Sequence, residues 1–254
     1  MRIALGIEYD GTAYNGWQRQ ESGIGVQERV EEALARVADE RVETTCAGRT
    51  DAGVHATAQV AHFDSRAVRT PRNWVLGVNS NLPSDVNALW AAPVPDDFHA
   101  RYSALSRAYR YLILNRPTRS ALWRDRAWWL HRPLDIMAMR EGAEPLLGEH
   151  DFSALRAAGC QAKTARREVR AIDIARDGQW VTVTIRANAF LQHMVRNIVG
   201  VLVAVGGGEH PPEWASAVLE SRDRREGGIT APAHGLTLID VEYAPHFNVP
   251  PPPM

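Results

Sequence analysis

Two stretches of alternating residues decide the fold that this sequence predicts. The first is residues 3–11, IALGIEYDG, in which large apolar residues recur at every second position. The second is residues 107–115, RAYRYLILN, which places Tyr109, Tyr111 and Ile113 on one face. Because a period of two is typical of a half-buried strand, each stretch predicts the first strand of a sheet.

Further helices and strands alternate outward from these two stretches. After the first, apolar spacing predicts helices at 26–37 and from Pro71, and strands at 42–47, 58–63 and 85–94. After the second, it predicts helices at 135–147, 193–205 and 212–220, a hairpin of 169–175 and 180–187 closed by Asp177-Gly178, and a last strand at 236–243. This order favours an α/β (α+β) protein of two similar sandwich halves, each a mainly antiparallel sheet with helices on one face.

The two halves set the predicted domain division. Residues 1–105 form an N-terminal α/β half and residues 106–245 form a C-terminal α/β half. Residues 246–254 form an extended, exposed, proline-rich tail. The likeness of the halves rests on the order of their elements, because no residue-level repeat accompanies it.

Length and composition exclude several classes of protein. A chain of 254 residues, 45% hydrophobic and 23% charged, can bury a large core, which excludes wholesale disorder, a fibrous repeat and a disulfide scaffold. Cys46 and Cys160 lack the spacing of a zinc site and are expected to be reduced thiols of a cytoplasmic protein. The start lacks a signal peptide's apolar run, and the longest apolar stretch, 198–205, is too short to span a bilayer, so no membrane association is expected.

Charge is unevenly distributed although the formal net charge is only -1. Residues 101–132 carry eight arginines against one acid, Asp125, and residues 154–170 carry five basic groups against Glu168. Such runs are commonly solvated faces. Arginines interleaved with tyrosines and tryptophans are also typical of nucleic-acid surfaces, because guanidinium groups bind phosphates and aromatic rings stack on bases. The sequence leaves both interpretations open.

The segment 48–55, GRTDAGVH, lies between two predicted strands and is the main candidate for chemistry. Its glycines permit positive φ and close approach of another chain, so that Asp51 could project into a cleft. The same Thr-Asp-Ala-Gly sequence suits a plain turn in which the aspartate caps its own backbone. No second carboxylate is marked out as a partner, and both interpretations stay open at this point.

Arg196, at the start of the apolar helix at 193–205, is a second candidate. A half-buried arginine needs an anion unless its head group reaches water. The glycines at 206–208 lack the Lys and Ser/Thr that complete a phosphate loop, and the nine histidines are scattered. The residues therefore indicate no metal site and no nucleotide cofactor.

Several motifs together resemble the tRNA pseudouridine synthase A family. The segment 48–56 resembles the family's catalytic motif, and matches run in register from about residue 5 to 243. The other matching segments are YDGT at 9–12, GWQRQ at 16–20, VQ at 26–27, FHARYSA at 98–104, RAYRY at 107–111 and HMVRNIVG at 193–200.

This resemblance implies an RRM-like pseudouridine synthase fold and an enzyme that isomerises uridine to pseudouridine at positions 38, 39 and 40 of the tRNA anticodon stem-loop. It implies tRNA as the partner, a cytoplasmic homodimer, and no metal or cofactor. The family's catalytic aspartate matches Asp51, and its motif arginine and late-helix arginine match Arg49 and Arg196. Its active-site tyrosine matches Tyr109, which would stack on a uracil that has left the base stack.

The resemblance also leaves chemistry open. Arg196 beside Asp51 would favour the carboxylate, while Asp51 could attack the sugar, attack the base or remove the C2′ proton. Two other classes use the same residues: a non-catalytic RNA-binding module of paired RRM-like sheets, and a hydrolase that cleaves an N-glycosidic bond.

Overall fold

The computed structural model describes residues 1–21 and 23–251. Its strands and α-helices, in chain order, are β1 (Arg2–Tyr9), α1 (Val26–Ala38), β2 (Thr45–Cys46), β3 (His55–Asp64), α2 (Pro71–Asn79), β4 (Val86–Val94), β5 (Ala104–Asn115), β6 (Trp128–Leu130), α3 (Ile136–Ala143), β7 (Gly148–Asp151), β8 (Arg166–Asp177), β9 (Trp180–Ala187), α4 (Met194–Gly206), α5 (Trp214–Ser221) and β10 (Leu236–Tyr243). They group into two compact units: Met1–Arg107 with the chain from Thr237 onward, and Ala108–Leu236.

The first unit contains a sheet with the strand order β4-β1-β3-β10. β1 pairs antiparallel with β3 and β4, β2 pairs antiparallel with β3, and β10 pairs parallel with β3. Ile3, Leu5 and Ile7 are buried as the alternation predicts. The intervening positions are covered too: the Trp90 indole lies so close over Gly6 that a Cβ there would come within 2.2 Å of it. A glycine in β1 therefore lets an aromatic ring pack directly on the strand.

The helices of this unit follow their predicted apolar spacing. α1 buries Val26, Val30 and Leu34. α2 begins at Pro71 and is capped by the preceding residue, Thr70. The Thr70 Oγ1 accepts a hydrogen bond of 3.2 Å from the Asn73 amide. A threonine cap followed by proline is a favoured helix start, because the first turn leaves amides unpaired and proline has none.

The second unit has the strand order β5-β9-β8-β7, and β6 pairs parallel with β5. β8 and β9 form the predicted antiparallel hairpin, with Gly178 at a φ of +55 in its turn. α4 is buried along most of its length, and α3 and α5 lie against it. Among the helices of the described residues, none has both the length and the apolarity needed to cross a membrane.

Three elements of the second unit differ from expectation, and the first is the short strand β6, which was not predicted. The helix predicted at 135–147 ends at Ala143, and a 3-10 turn follows at Glu144–Leu146. Pro145 has no backbone N–H with which to continue the helical hydrogen bonds, so it stops the helix. Gly148, at a φ of +92, then opens the short strand β7, which the sequence did not predict because GEHD has no apolar alternation.

The end of the chain also differs from the predicted division. β10 was assigned to the C-terminal half 106–245, but it groups with the first unit because Thr237 and Leu238 pair with β3. The predicted tail at 246–254 is not extended at its start: Pro245–Phe247 is a 3-10 turn, and the buried Phe247 ring lies 5.2 Å from that of Phe98. Residues 252–254 of the predicted tail lie outside the described residues.

Candidate active site

The loop from Gly48 to His55 joins β2 to β3 and forms a tight turn at its centre. The Val54 amide donates to the Asp51 carbonyl at 3.1 Å, and Gly53 has a φ of +78. A positive φ at the third turn position is the reason for a glycine there. Asp51 is half-buried, and Arg49 is exposed. The turn interpretation and the projecting aspartate are thus compatible, since the turn itself presents Asp51.

A buried hydrogen-bond network holds the loop just before Asp51. The Tyr9 and Thr50 hydroxyl oxygens are 2.8 Å apart, and Gln59 Nε2 donates to the Gly48 carbonyl at 2.7 Å and to the Tyr9 oxygen at 3.4 Å. Burial raises the pKa of Tyr9, only partly offset by these hydrogen bonds, so its hydroxyl stays protonated. The backbone is therefore fixed on both sides of Arg49.

The N-terminal segment after β1 packs against the same loop. The Trp17 amide donates to the Thr50 carbonyl at 3.0 Å. Gly16 has a φ of +93, and a Cβ at this position would come within 2.5 Å of the Thr50 carbonyl oxygen. A Cβ on Gly11 would lie 2.0 Å from the Val54 carbonyl oxygen. Side chains at either position would push the loop away, which explains glycine in both motifs at 9–20.

Arg107 supports the start of the loop and is not part of a solvated face. It is buried, and its Nη2 and Nε donate to the Ala47 carbonyl at 2.9 and 3.3 Å. One of the eight arginines in the basic stretch is therefore structural. Arg110, Arg119 and Arg126 are exposed, as an RNA-binding or a solvated surface requires.

In the second unit, Arg196 lies half-buried in the first turn of α4. Its Nε donates to the Ala231 carbonyl at 2.7 Å, and the Ala231 amide donates to the Arg196 carbonyl at 3.1 Å. A Cβ on Gly200 would lie 2.0 Å from the Ile229 carbonyl oxygen, so α4 and the segment at 229–231 are in close contact. The guanidinium is therefore held by backbone rather than left to reach freely into water.

A polar cluster next to Arg196 keeps this segment in place. Asn197 is fully buried, and its Oδ1 accepts from Arg224 Nη2 at 3.0 Å and from Thr230 Oγ1 at 2.7 Å. Arg224 Nη2 also donates to Thr230 Oγ1 at 2.8 Å, while Asn197 Nδ2 donates to the Leu155 carbonyl at 2.9 Å. The sequence analysis did not identify this cluster, since Asn197 and Arg224 are 27 residues apart.

Tyr109 and Tyr111 have different surroundings although they share a strand. The Tyr111 ring is fully buried and packs against Gly235, where a Cβ would come within 2.6 Å of the ring. The Tyr111 hydroxyl donates to the Pro232 carbonyl at 2.7 Å. Tyr109 retains 7% exposure and meets Phe190 edge to face at 5.2 Å. Tyr111 is therefore a core residue, whereas Tyr109 keeps a small exposed fraction.

Comparison with known proteins gives the family. A family model described as tRNA pseudouridine synthase matches residues 6–103 and 143–244. The chain belongs to the tRNA pseudouridine synthase family. Asp51 and Arg49 fall in the first matched segment and Arg196 in the second, while Tyr109 lies between them.

Relatives within this family align over almost the whole chain. A protein of Coxiella burnetii named tRNA pseudouridine synthase A is 55% identical over 98% of this chain and 95% of its own length. A protein of the same name from Alcanivorax borkumensis is 54% identical over 100% of this chain and 95% of its own length. Another, from Pseudomonas aeruginosa, is 53% identical over 98% of this chain and 88% of its own length. The predicted family and the mixed α/β pseudouridine synthase fold are thereby confirmed.

Proposed function

We propose that this protein isomerises uridine to pseudouridine at positions 38, 39 and 40 of the tRNA anticodon stem-loop. The observation that carries the proposal is the Asp51 loop, in which a half-buried aspartate follows Gly48 and Thr50, two residues held by hydrogen bonds, in a chain that belongs to the tRNA pseudouridine synthase family. A fixed carboxylate loses little orientational freedom when it meets a substrate.

The reaction balances without an added oxidant or reductant. The N1–C1′ bond of uridine breaks, a C5–C1′ bond forms, C5 loses its proton and N1 gains one. Every carbon stays on the RNA. A uridine in a stem must first leave the base stack so that a side chain can reach C1′.

The proposed roles follow the site residues. Asp51 is the catalytic carboxylate, and Tyr109 stacks on the extruded uracil, a contact typically worth about 1–3 kcal/mol per base. Arg196 supplies the positive charge that favours an ionised carboxylate, and Arg49 contacts the RNA or fills the space that the base vacates. The rigid seating of Arg196 on the Ala231 carbonyl supports a fixed position for that charge.

We also propose a homodimer in the cytoplasm, in which one tRNA touches both subunits. The second unit exposes the apolar side chains of Leu122, Trp123 and Trp129, which supports a contact surface for another protein chain. Sedimentation equilibrium of the whole chain tests this state directly, and a monomer at micromolar concentration contradicts it.

Tritium release tests the reaction itself. Unmodified tRNA labelled with tritium at C5 of uridine is incubated with the protein, and both released tritium and free uracil are measured. Release without free uracil is expected. Free uracil would instead support an N-glycosidic hydrolase, and binding without either product would support an RNA-binding module.

A further inference from the structure

Three arginines at the start of β8 have different partners. Arg166 Nε lies 3.1 Å from Glu149 Oε1, and Arg170 Nε lies 3.1 Å from Glu168 Oε2. Both of these arginines are exposed, whereas Arg167 is half-buried. Within residues 1–21 and 23–251, Arg167 forms no ion pair with a carboxylate.

The guanidinium of Arg167 is also incompletely hydrogen-bonded. Nη1 donates to the Thr164 carbonyl at 3.1 Å and to the Arg166 carbonyl at 2.5 Å. Nε is buried and has no hydrogen-bond partner in the described part of the chain. Nη2 donates to none of the described residues either. Two carbonyls supply partial charges only, so the positive charge is not neutralised.

Partial burial of the Arg167 guanidinium is unfavourable, and its neighbours do not offset the free energy of desolvation. Desolvation lowers the pKa of Arg167; the nearby Cys160 acts in the opposite direction to a smaller extent, and no carboxylate does so. An arginine remains charged in proteins all the same. A half-buried, uncompensated charge is unfavourable unless an anion joins it.

The surroundings select an anion of a particular chemistry. Residues 154–170 carry five basic groups against Glu168, and the neighbouring strand β7 adds Glu149 and Asp151, so the local charge balance is +2. Because Nε is buried and Nη1 already donates to two carbonyls, Nη2 is the donor left for a ligand, and a charge-assisted N–H bond from a guanidinium suits a phosphate oxygen. We propose that Arg167 binds a backbone phosphate of the RNA substrate, with Nη2 as the donor. This rests on the proposed function only in taking the substrate to be RNA.

The test compares two adjacent arginines that differ in pairing. Arg167→Gln removes the charge but keeps a donor for the Thr164 carbonyl. Arg166→Gln, the matched control, removes the charge of an exposed arginine that already has a partner. The dissociation constant for unmodified tRNA is measured for each variant between 50 and 200 mM KCl, because the affinity that phosphate contacts provide falls over this range of salt.

We expect Arg167→Gln to weaken binding about tenfold and to reduce the slope of log affinity against log salt by about 0.7–0.9. Arg166→Gln should change the slope by less than half as much, and Arg167→Lys should keep most of it. A wild-type slope in Arg167→Gln overturns the proposal, even if affinity falls, because the residue then only holds its loop. Equal slope changes in both glutamine variants overturn it too.

Two further arms separate this site from its alternatives. If inorganic phosphate at constant ionic strength raises the melting temperature of the wild type but not of Arg167→Gln, while the tRNA slope is unchanged, the site binds free phosphate and the proposal fails. Tritium release by the wild type is measured in parallel. A wild type that binds tRNA through Arg167 but releases no tritium refutes the proposed function and leaves the phosphate site standing.

Discussion

The hydroxyl oxygens of Tyr9 and Thr50 lie 2.8 Å apart, and both side chains are buried. Gln59 Nε2 also donates to the Tyr9 oxygen, so the Tyr9 hydroxyl is hydrogen-bonded on two sides. Thr50 immediately precedes Asp51, so its hydrogen bond with Tyr9 fixes the residue next to the proposed catalytic carboxylate. Tyr9 is in this sense a positioning residue.

Tyr9→Phe removes this hydrogen bond and keeps the ring. The expected result is a kcat about tenfold lower, because a small displacement of a reacting group is costly, with tRNA affinity unchanged. The loss of unfolding free energy should be about 1–3 kcal/mol. Steady-state tritium release and denaturant unfolding measure the two quantities.

Tyr243→Phe is the control for that variant. Its buried hydroxyl donates to the Ala100 carbonyl at 2.6 Å, so its removal should cost similar stability and leave kcat unchanged. If both tyrosine variants lose kcat equally, Tyr9 acts through general stability alone.

Asp51→Asn keeps the shape of the side chain and removes its charge. We expect turnover to fall by about 10²–10⁴-fold or more, with near-normal melting temperature and tRNA affinity. Asp39→Asn is the control, because Asp39 is exposed at the end of α1 with a φ of 55, a conformation that asparagine also accepts. Retained turnover in Asp51→Asn would reject the catalytic role, and a large drop in melting temperature would make the residue structural.

The Tyr109 and Tyr111 variants separate substrate stacking from core packing. Tyr109→Leu should lower kcat/KM by about tenfold or more, since the lost stacking is worth about 1–3 kcal/mol. Tyr111→Phe should instead lower the unfolding free energy by about 1–3 kcal/mol, because the Pro232 carbonyl loses its donor. Tyr109→Phe, which keeps the ring, should bind tRNA normally. The opposite pattern, with kcat/KM falling only in the Tyr111 variant, would show that the wrong tyrosine was chosen.

His62 makes stability depend on pH. Burial, followed by the nearby His99, lowers its pKa to about 4, and its Nδ1 accepts from the Ala100 amide at 3.1 Å. The unfolded chain binds this proton near pH 6.5. Between that value and about 4 the unfolded state therefore holds more protons, so stability is lost as the pH falls.

Unfolding free energies at pH 7 and pH 5 should accordingly differ by about 1–2 kcal/mol through this group. His62→Asn keeps an acceptor for the Ala100 amide but does not titrate, so its stability should change less over the same interval. An identical pH dependence in the variant and the wild type would contradict a buried, neutral His62.

The sequence predicted the elements whose pattern is local. β1, α1, α2 and the β8–β9 hairpin lie close to their predicted positions, because alternation, helical spacing, Pro71 and Gly178 each act within a few residues. The short strand β7 and the grouping of β10 depend on which strand lies beside them. That information is not present in the residues of the strands themselves.

The same distinction applies to the site. The loop at 48–55 was identified from its glycines and its aspartate, and Arg196 from its place at the start of an apolar helix, while the family resemblance added Tyr109 and Arg49. The residues that hold these groups were missed, because Tyr9, Gln59 and Arg224 reach their partners across 41, 11 and 27 residues. A buried arginine such as Arg107 could not be told from its exposed neighbours by a charge count.

The parallel pairing of β10 with His55 and Ala56 has a consequence for biosynthesis. The strand that follows the Asp51 loop gains this neighbour only when residues 237 and 238 have left the ribosome, long after the loop itself. Until then that edge of β3 exposes unpaired backbone groups, which invite pairing with other chains. A nascent chain would thus complete the support of the Asp51 loop only after β10 has emerged, and a truncation before β10 should yield an aggregation-prone product rather than a smaller enzyme.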